Sequence, residues 1–255
     1  MKIAAVIPAR FASNRLPGKP LADICGQPMI VHVVRRVAEH PRLAEVVVAT
    51  DDDRIAQAVE AAGHRAIMTR TDHASGTDRV AEVAANLDVD LIVNVQGDEP
   101  MFDVRMLESA LIPFLVDDTL QFGTVRAGLQ SVAEVFDPNC VKVVVDQNDI
   151  ALYFSRAPIP FMREDIIYAD GRFSLKDGTA LPAMDKHLGL YVYRRDFLLE
   201  YASWPPSRLE KIERLEQLRA LERGVRIACP PTEHTTISVD TPEDLEAVRR
   251  LMARE

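Results

Sequence analysis

No apolar run in the 255-residue sequence approaches the length of a membrane span, so no transmembrane helix and no membrane partner are expected. The opening stretch, MKIAAVIPARF, has seven residues between Lys2 and Arg10, one of them Pro8. That is too short for the apolar core and cleavage region of a secretory signal. Cysteine is scarce: Cys25, Cys140 and Cys229 are odd in number and far apart, which indicates neither a disulfide framework nor a CxxC metal site. A reducing cytoplasm is the expected compartment. Positive charge is in deficit, with 30 Lys and Arg against 39 Asp and Glu and a formal net charge of −9. A protein that tracks a phosphate backbone concentrates excess Lys and Arg on one face, so no nucleic-acid partner is expected. The P-loop pattern GxxxxGK[ST] is absent, as are internal repeats and low-complexity tracts.

What is present is an α/β alternation. With 47% hydrophobic residues the chain can bury one substantial core, and residues 1–255 read as a single domain. Apolar runs at Ile3–Ile7, Glu45–Ala49, Asp90–Val95 and Val141–Val145 alternate with helical patterns, which suggests a mostly parallel sheet flanked by helices. Ile30, Val33, Val34 and Val37 recur at helical spacing, with Pro28 suited to the first helical position. Thr77 is placed to cap the helix carrying Val80, Val83, Ala84 and Leu87, and Thr241 with Pro242 and Asp244 opens a last helix. The second half is richer in β, around Gly123–Ala127 and Leu188–Tyr193. A polar excursion from Arg163 to Asp185, holding Gly171 and Gly178, reads as a loop or hairpin that could cover a substrate.

Three segments carry chemistry. The first strand runs into IPARFASNRLPGKPL, where Arg10, Arg15 and Lys19 fall within one loop punctuated by Pro17 and Gly18. Ligands of parallel α/β sheets bind beyond the carboxyl ends of strands, and three cations there suit a polyphosphate. A solvated basic loop is the plainer alternative. LIVNV runs into QGDEP, which sets Asp98 past a strand end as a candidate magnesium ligand, although acids beside Gly and Pro are also common in turns. In VDTPED, Asp240 ends the alternating segment ISVD just before the Thr241 cap, where an acid is favoured by capping and by the helix dipole. Glu216 falls on a helical stripe with Leu209, Ile212 and Ala220, and an acid on an apolar stripe needs a partner.

Seven motifs in order, IPARFASNRLPGKPL, MTRTDHASGTDR, VNVQGDEP, ALYFSRAPIP, KHLGLY, LEQLR and VDTPEDL, resemble the 3-deoxy-manno-octulosonate (Kdo) cytidylyltransferase family over nearly the whole chain. The resemblance implies a Rossmann-like nucleotidyltransferase fold with a β-rich elaboration in the second half. It also implies that the anomeric hydroxyl of Kdo attacks the α-phosphate of CTP, giving CMP-Kdo for lipopolysaccharide biosynthesis. Ala9, Arg10, Arg15 and Lys19 would hold the triphosphate, with Lys19 facing the departing pyrophosphate; Asp98 and Asp240 would ligate magnesium. Arg70, Ser75 and Gly76 match the nucleoside pocket, though Ser75-Gly76 reads equally as a helix-start turn. Arg156 would grip the sugar carboxylate, and Gln96, His187, Tyr191, Glu216 and Gln217 would meet the rest of the sugar; a salt bridge is the other reading of Glu216. Residues 121–223 would supply the sugar-acid site and contacts of a homodimer. Asn14, between Ser13 and Arg15, and Lys186, before His187, depart from the usual family residues, and neither is a proposed metal or phosphate ligand. A cytidylyltransferase for sialic acid or an amino-substituted Kdo is the alternative.

Overall fold

The structure, a computed structural model, describes residues 1–12, 16–169, 172–176, 178–181 and 183–254. In chain order, β1 (Ile3–Ala9) leads through a single turn of 3-10 helix (Lys19–Leu21) to the short hairpin β2 (Asp23–Ile24) and β3 (Gln27–Pro28). Then follow α1 (Met29–Ala38), β4 (Glu45–Thr50), α2 (Asp53–Ala61), β5 (Arg65–Met68), α3 (Gly76–Ala84), β6 (Leu91–Asn94) and α4 (Arg105–Val116). Next come β7 (Phe122–Gly128), α5 (Val132–Phe136), β8 (Lys142–Val145), β9 (Ala151–Ser155), β10 (Ile166–Ala169), β11 (Arg172–Leu175) and β12 (Asp185–Arg194). The chain closes with α6 (Arg195–Ser203), α7 (Arg208–Glu213), α8 (Leu218–Leu221), β13 (Ile227–Ala228) and α9 (Pro242–Met252). These elements form two units: Met1–Glu108 with Leu190–Trp204 and His234–Glu255, and Ser109–Gly189 with Pro205–Glu233.

In the first unit β1 pairs in parallel with β4 on one side and β6 on the other, β4 pairs in parallel with β5, and residues 191–194 of β12 run antiparallel to β6. The apolar runs explain this. Ala4 to Ile7 are fully buried, as are Val47, Val48 and Leu91 to Val93, which is the pattern of strands covered on both faces. Helices α1, α2 and α3 supply the cover, α1 through Met29, Ile30, Val33, Val34 and Val37, none of which is exposed. Strand order reverses at β1, so the crevice past its carboxyl end, beside that of β6, is the topological switch point at which such sheets take ligands.

In the second unit β7 pairs in parallel with β13, β8 runs antiparallel to β9 and to residues 185–186 of β12, and β10 with β11 forms a separate hairpin. The polar excursion therefore contains a hairpin, with Phe161, Tyr168 and Phe173 exposed and their rings in contact. Gly171 lies outside the described residues.

Four local expectations change. The cap of α3 is Ser75, not Thr77: the Ser75 hydroxyl accepts from Asp78 N–H at 3.1 Å while the Asp78 carboxylate accepts from Ser75 N–H at 3.0 Å, and this capping box satisfies two donors that Thr77 would leave open. Pro28 precedes α1 as its cap, and Met29 takes the first helical position. ISVD is not a strand; Val239 is fully buried and ties to Asp98 by one backbone hydrogen bond. Glu216 is not on a helical stripe, because α7 ends at Arg214 in the left-handed region (φ 56°), and Ile212 is exposed. The cap at Thr241 is as expected, closed by Asp244.

One glycine fixes how closely the ends of β1 and β6 approach. A Cβ on Gly97 would lie 2.7 Å from the Pro8 carbonyl oxygen, a backbone atom that cannot move aside cheaply. Gly97→Ala should therefore destabilise the protein by about 1–3 kcal/mol, the usual cost of overpacking. A denaturant midpoint unchanged from wild type would show that the two loops can part freely.

Candidate functional site

A cleft of about 460 Å³ opens at this switch point, lined from the end of β1 by Pro8, Ala9, Arg10 and Ala12, from the next loop by Lys19 and Pro20, and from the start of α3 by His73 to Gly76 and Arg79. Gln96, Gly97 and Asp98 after β6, and Asp240 before α9, complete it. Every lining residue belongs to the first unit. Gly18, in the left-handed region at φ 71°, starts the 3-10 turn that delivers Lys19, and its N–H meets the Phe11 carbonyl at 3.2 Å.

The centre of the cleft is a three-membered charge cluster. Lys19 Nζ lies 2.6 Å from Asp98 Oδ2 and 3.1 Å from Asp240 Oδ1. Asp98 is held by its place after β6 and by its carbonyl, which accepts from Val239 N–H at 2.9 Å. Asp240 is aimed by its neighbours: Val239 is buried with Ile24, Met29, Leu245 and Val248, and the Asp244 carboxylate accepts from the N–H of both Asp240 and Thr241. Glu99, next to Asp98, is buried, and its carboxyl is pushed up to about 8 by burial first and by the Asp98 charge second. It is mostly neutral at pH 7, which leaves the local negative charge on Asp98. Three cations, Arg10, Lys19 and Arg79, face the cleft; Lys19 is shared by Asp98 and Asp240 and Arg79 is paired with Asp51, so the cations are concentrated here inside a chain of net charge −9.

Two carboxylate oxygens converging on one cation are a donor set that suits magnesium, a hard ion often held by one or two carboxylates with water and substrate phosphates. Among the described residues no group of three His, Cys, Asp or Glu could hold a metal, so these phosphates and waters would complete the coordination.

The cleft brings together Ala9, Arg10, Lys19, Ser75, Gly76, Gln96, Asp98 and Asp240. Arg15 lies outside the described residues. Arg70 does not line the cleft: its exposed guanidinium pairs with Asp72 at 2.9 Å through Nε, while its backbone N–H donates to Glu82. The Ser75 hydroxyl accepts the Asp78 N–H of the capping box and keeps its own proton to donate, and a Cβ on Gly76 would make only ordinary contact with Pro8 within the protein. Gly97, His73 and Arg79 were not singled out in the sequence. For Arg79 the signal was legible, a charge on the buried stripe of α3.

A family model described as Cytidylyltransferase matches residues 4–227. The 3-deoxy-manno-octulosonate cytidylyltransferase of Geobacter sulfurreducens is 51% identical, the match covering 97% of this chain and 98% of that one. The namesake from Trichlorobacter lovleyi is 49% identical over 99% of both. The chain belongs to the 3-deoxy-manno-octulosonate cytidylyltransferase family. A solved structure of CMP:2-keto-3-deoxy-manno-octonic acid synthetase complexed with CTP superposes with a TM-score of 0.89 at 46% identity, covering 100% of this chain and 99% of that one. The fold is thus the nucleotidyltransferase fold of this family, a mostly parallel sheet flanked by helices with added antiparallel strands.

The residues the family resemblance assigns to the sugar fall in both units. In the first, Tyr191 pairs across the sheet with Asn94, whose side-chain oxygen is 3.5 Å from Gln96 Nε2, and the Tyr191 ring stacks on Tyr193. In the second, Arg156 donates to the carbonyls of Glu213 and Pro138, each at 2.7 Å, and of Arg214 at 3.2 Å. It pins the end of α7 with two N–H groups and the Pro138 segment with a third, so three of its five N–H groups are committed to backbone carbonyls. Gln217 is buried and Glu216 half-buried at the start of α8. His187 Nε2 lies 2.9 Å from the Thr124 hydroxyl, and the ring stands edge-on to Phe154.

Burial pushes the His187 imidazole from its ordinary 6.5 down to about 3. Because the folded-state pKa is lowered, the unfolded chain binds the extra proton first. The stability this histidine allows is complete above pH 6.5 and is lost as pH falls toward 3. Its ring proton resonances should stay flat between pH 8 and pH 5, and a titration centred near 6.5 would place the ring in water.

Proposed function

We propose that the protein catalyses magnesium-dependent transfer of CMP from CTP to the anomeric hydroxyl of Kdo, releasing pyrophosphate. The observation that carries the reading is the convergence of Asp98 and Asp240 on Lys19 at the switch-point cleft. In the reaction the sugar oxygen forms a bond to the α-phosphorus, the bond from that phosphorus to the bridging oxygen of the β-phosphate breaks, and the hydroxyl proton passes to solvent. Such transfers depend on positioning and on charge neutralisation rather than on covalent chemistry by the protein. Arg10, exposed and without an ion-pair partner among the described residues, offers a free guanidinium to the phosphates. Lys19, released from the carboxylates, neutralises charge on the departing pyrophosphate. Asp98 and Asp240 would hold magnesium, which supplies Lewis acidity toward the phosphate oxygens and the attacking hydroxyl. For the acidic sugar, the resemblance points to Arg156, whose two remaining N–H groups suit a carboxylate. The same reading carries a role in lipopolysaccharide biosynthesis and a cytoplasmic homodimer.

Pyrophosphate release with CTP, Kdo and magnesium tests the proposal, with sialic acid, an amino-substituted Kdo and the other nucleoside triphosphates as comparisons. Turnover should require CTP and Kdo together, vanish on chelation and return on adding magnesium. Release that is equal for another acidic sugar would sink the assignment. Asp98→Asn and Asp240→Asn keep side-chain shape and remove a charged oxygen ligand, so each should abolish turnover without lowering the melting temperature; an active variant removes that residue from the metal site. Lys19→Ala should lower single-turnover rate by about 10²–10³, the scale seen when one donor to a developing charge is deleted, and change CTP affinity less. Weaker CTP binding with an unchanged rate would make Lys19 a ground-state clamp.

A further inference from the structure

Arg79 is 3% exposed, yet it lines the cleft. Its Nη2 donates to Asp51 Oδ2 at 2.8 Å and its Nη1 donates to the Thr69 hydroxyl. That hydroxyl in turn donates to the Thr50 carbonyl at 3.0 Å, and Thr69 N–H donates to the same carbonyl at 2.8 Å. One guanidinium thus connects three places where the chain leaves the sheet or enters a helix: the end of β4, the residue after β5 and the first turns of α3. All lie at the carboxyl edge of the parallel strands, where ligands of this architecture bind.

Packing alone does not call for a charge here. Arg79 sits among Val80, Val83 and Ala84 on the buried side of α3, and a buried ion pair seldom stabilises more than apolar residues of the same volume would. What the charge does supply is direction. The planar guanidinium meets a carboxylate and a hydroxyl at fixed angles, so it sets the rotation and depth of α3 against β4 and β5 more tightly than apolar contact can. Ser75 and Gly76, four and three residues before Arg79, share its face of the helix, and that face opens into the cleft. The Ser75 hydroxyl oxygen is anchored by its capping box, so the hydroxyl proton and the backbone that α3 offers a ligand at this end both go where the helix is held.

The cleft is also divided. Arg10, Lys19, Asp98 and Asp240 make its charged part, and Pro8, Ala74, Ser75 and Gly76 an uncharged part at the start of α3. A nucleoside triphosphate placed with its phosphates among the cations leaves its nucleoside to the uncharged part. We infer that Arg79, clamped between Asp51 and Thr69, is a positioning residue that holds the nucleoside wall of the cleft and thereby sets affinity for the nucleotide without taking part in the transfer step. The inference rests on the cytidylyltransferase reading.

The test uses the full chain with Thr69→Val and Arg79→Gln. The first keeps the branched shape and the backbone bond to Thr50 and removes only the hydroxyl that the guanidinium reaches, so it is expected to fold. The second removes the guanidinium. Each variant is followed by calorimetric binding of CTP, steady-state kinetics for CTP and Kdo, and a thermal melt. Thr69→Val should weaken CTP binding and raise the Michaelis constant for CTP three- to tenfold, with kcat within twofold of wild type and the Kdo constant unchanged. Arg79→Gln, where it folds, should move in the same direction and further. A role confined to stability would lower the melting temperature and leave CTP affinity within 1.5-fold of wild type in folded Thr69→Val, and that result overturns the inference. A fall in kcat with CTP binding intact overturns it too, because it would place the clamp in the transfer step. If wild-type protein binds CTP no better than ATP and releases no pyrophosphate with Kdo, the functional reading fails and the inference with it; normal wild-type behaviour beside unaffected variants removes the inference alone.

Discussion

The cleft depends on one electrostatic arrangement: an ammonium held between two carboxylates that arrive from distant parts of the sequence. Lys19 and Asp240 are separated by 221 positions, Lys19 and Asp98 by 79. Two like charges brought so close repel unless a cation lies between them, so the Lys19 ammonium is what lets both carboxylates stand together. Much of the first unit is arranged to keep this triad registered. Gly97 lets the loop after β6 approach Pro8, the Val239 amide ties the strand-like approach of Asp240 to Asp98, and the Asp244 carboxylate fixes the backbone at the head of α9.

Charge is placed locally against the sign of the whole. The chain is acidic, and an anionic nucleotide would be repelled by it at long range. The cleft offsets that sign over a short distance by gathering cations beside its two carboxylates, and salt screening at physiological strength confines the repulsion from the remaining surface to about 8 Å. Burial of Glu99 contributes by keeping a third carboxyl close to neutral in a place where another negative charge would compete with phosphate. Arg79 adds a cation at the cleft wall whose charge is already matched by Asp51. The effective charge that a ligand meets is therefore set by which groups are paired as much as by which are present.

The frame of the fold was legible because buried parallel strands are short apolar runs and amphipathic helices repeat at 3.6, and both patterns survive any tertiary context. Thr241 was legible for the same reason, since the capping box is local chemistry. Ser75 shows the limit: Ser75 and Thr77 both precede the apolar stripe of α3, and only the reciprocal bond with Asp78 selects between them. The Glu216 stripe failed because helical spacing persists on paper across a left-handed residue, and Arg214 carries no glycine to announce the break. Gly97 was invisible since its constraint is the carbonyl of Pro8, a contact between strands that no spacing encodes. For Arg156 the motif marked the residue, whereas the carbonyls that occupy its guanidinium come from segments 138 and 213–214.

The discontinuity of the first unit has a temporal meaning. A ribosome delivers Lys19 and Asp98 early, and all of the second unit's segments emerge before Asp240 does. Until then the hydrophobic seat formed by Ile24 and Met29 lacks Val239, Leu245 and Val248, and the early cation and carboxylate have only each other. Completion of the first unit is thereby coupled to late synthesis, so a nascent chain cannot assemble a competent carboxylate pair while most of its length is still being made. A product that stops short of the VDTPED segment lacks both the second carboxylate and the residues that cover Ile24 and Met29, and the apolar surface it leaves open is of the kind that makes incomplete chains prone to aggregate.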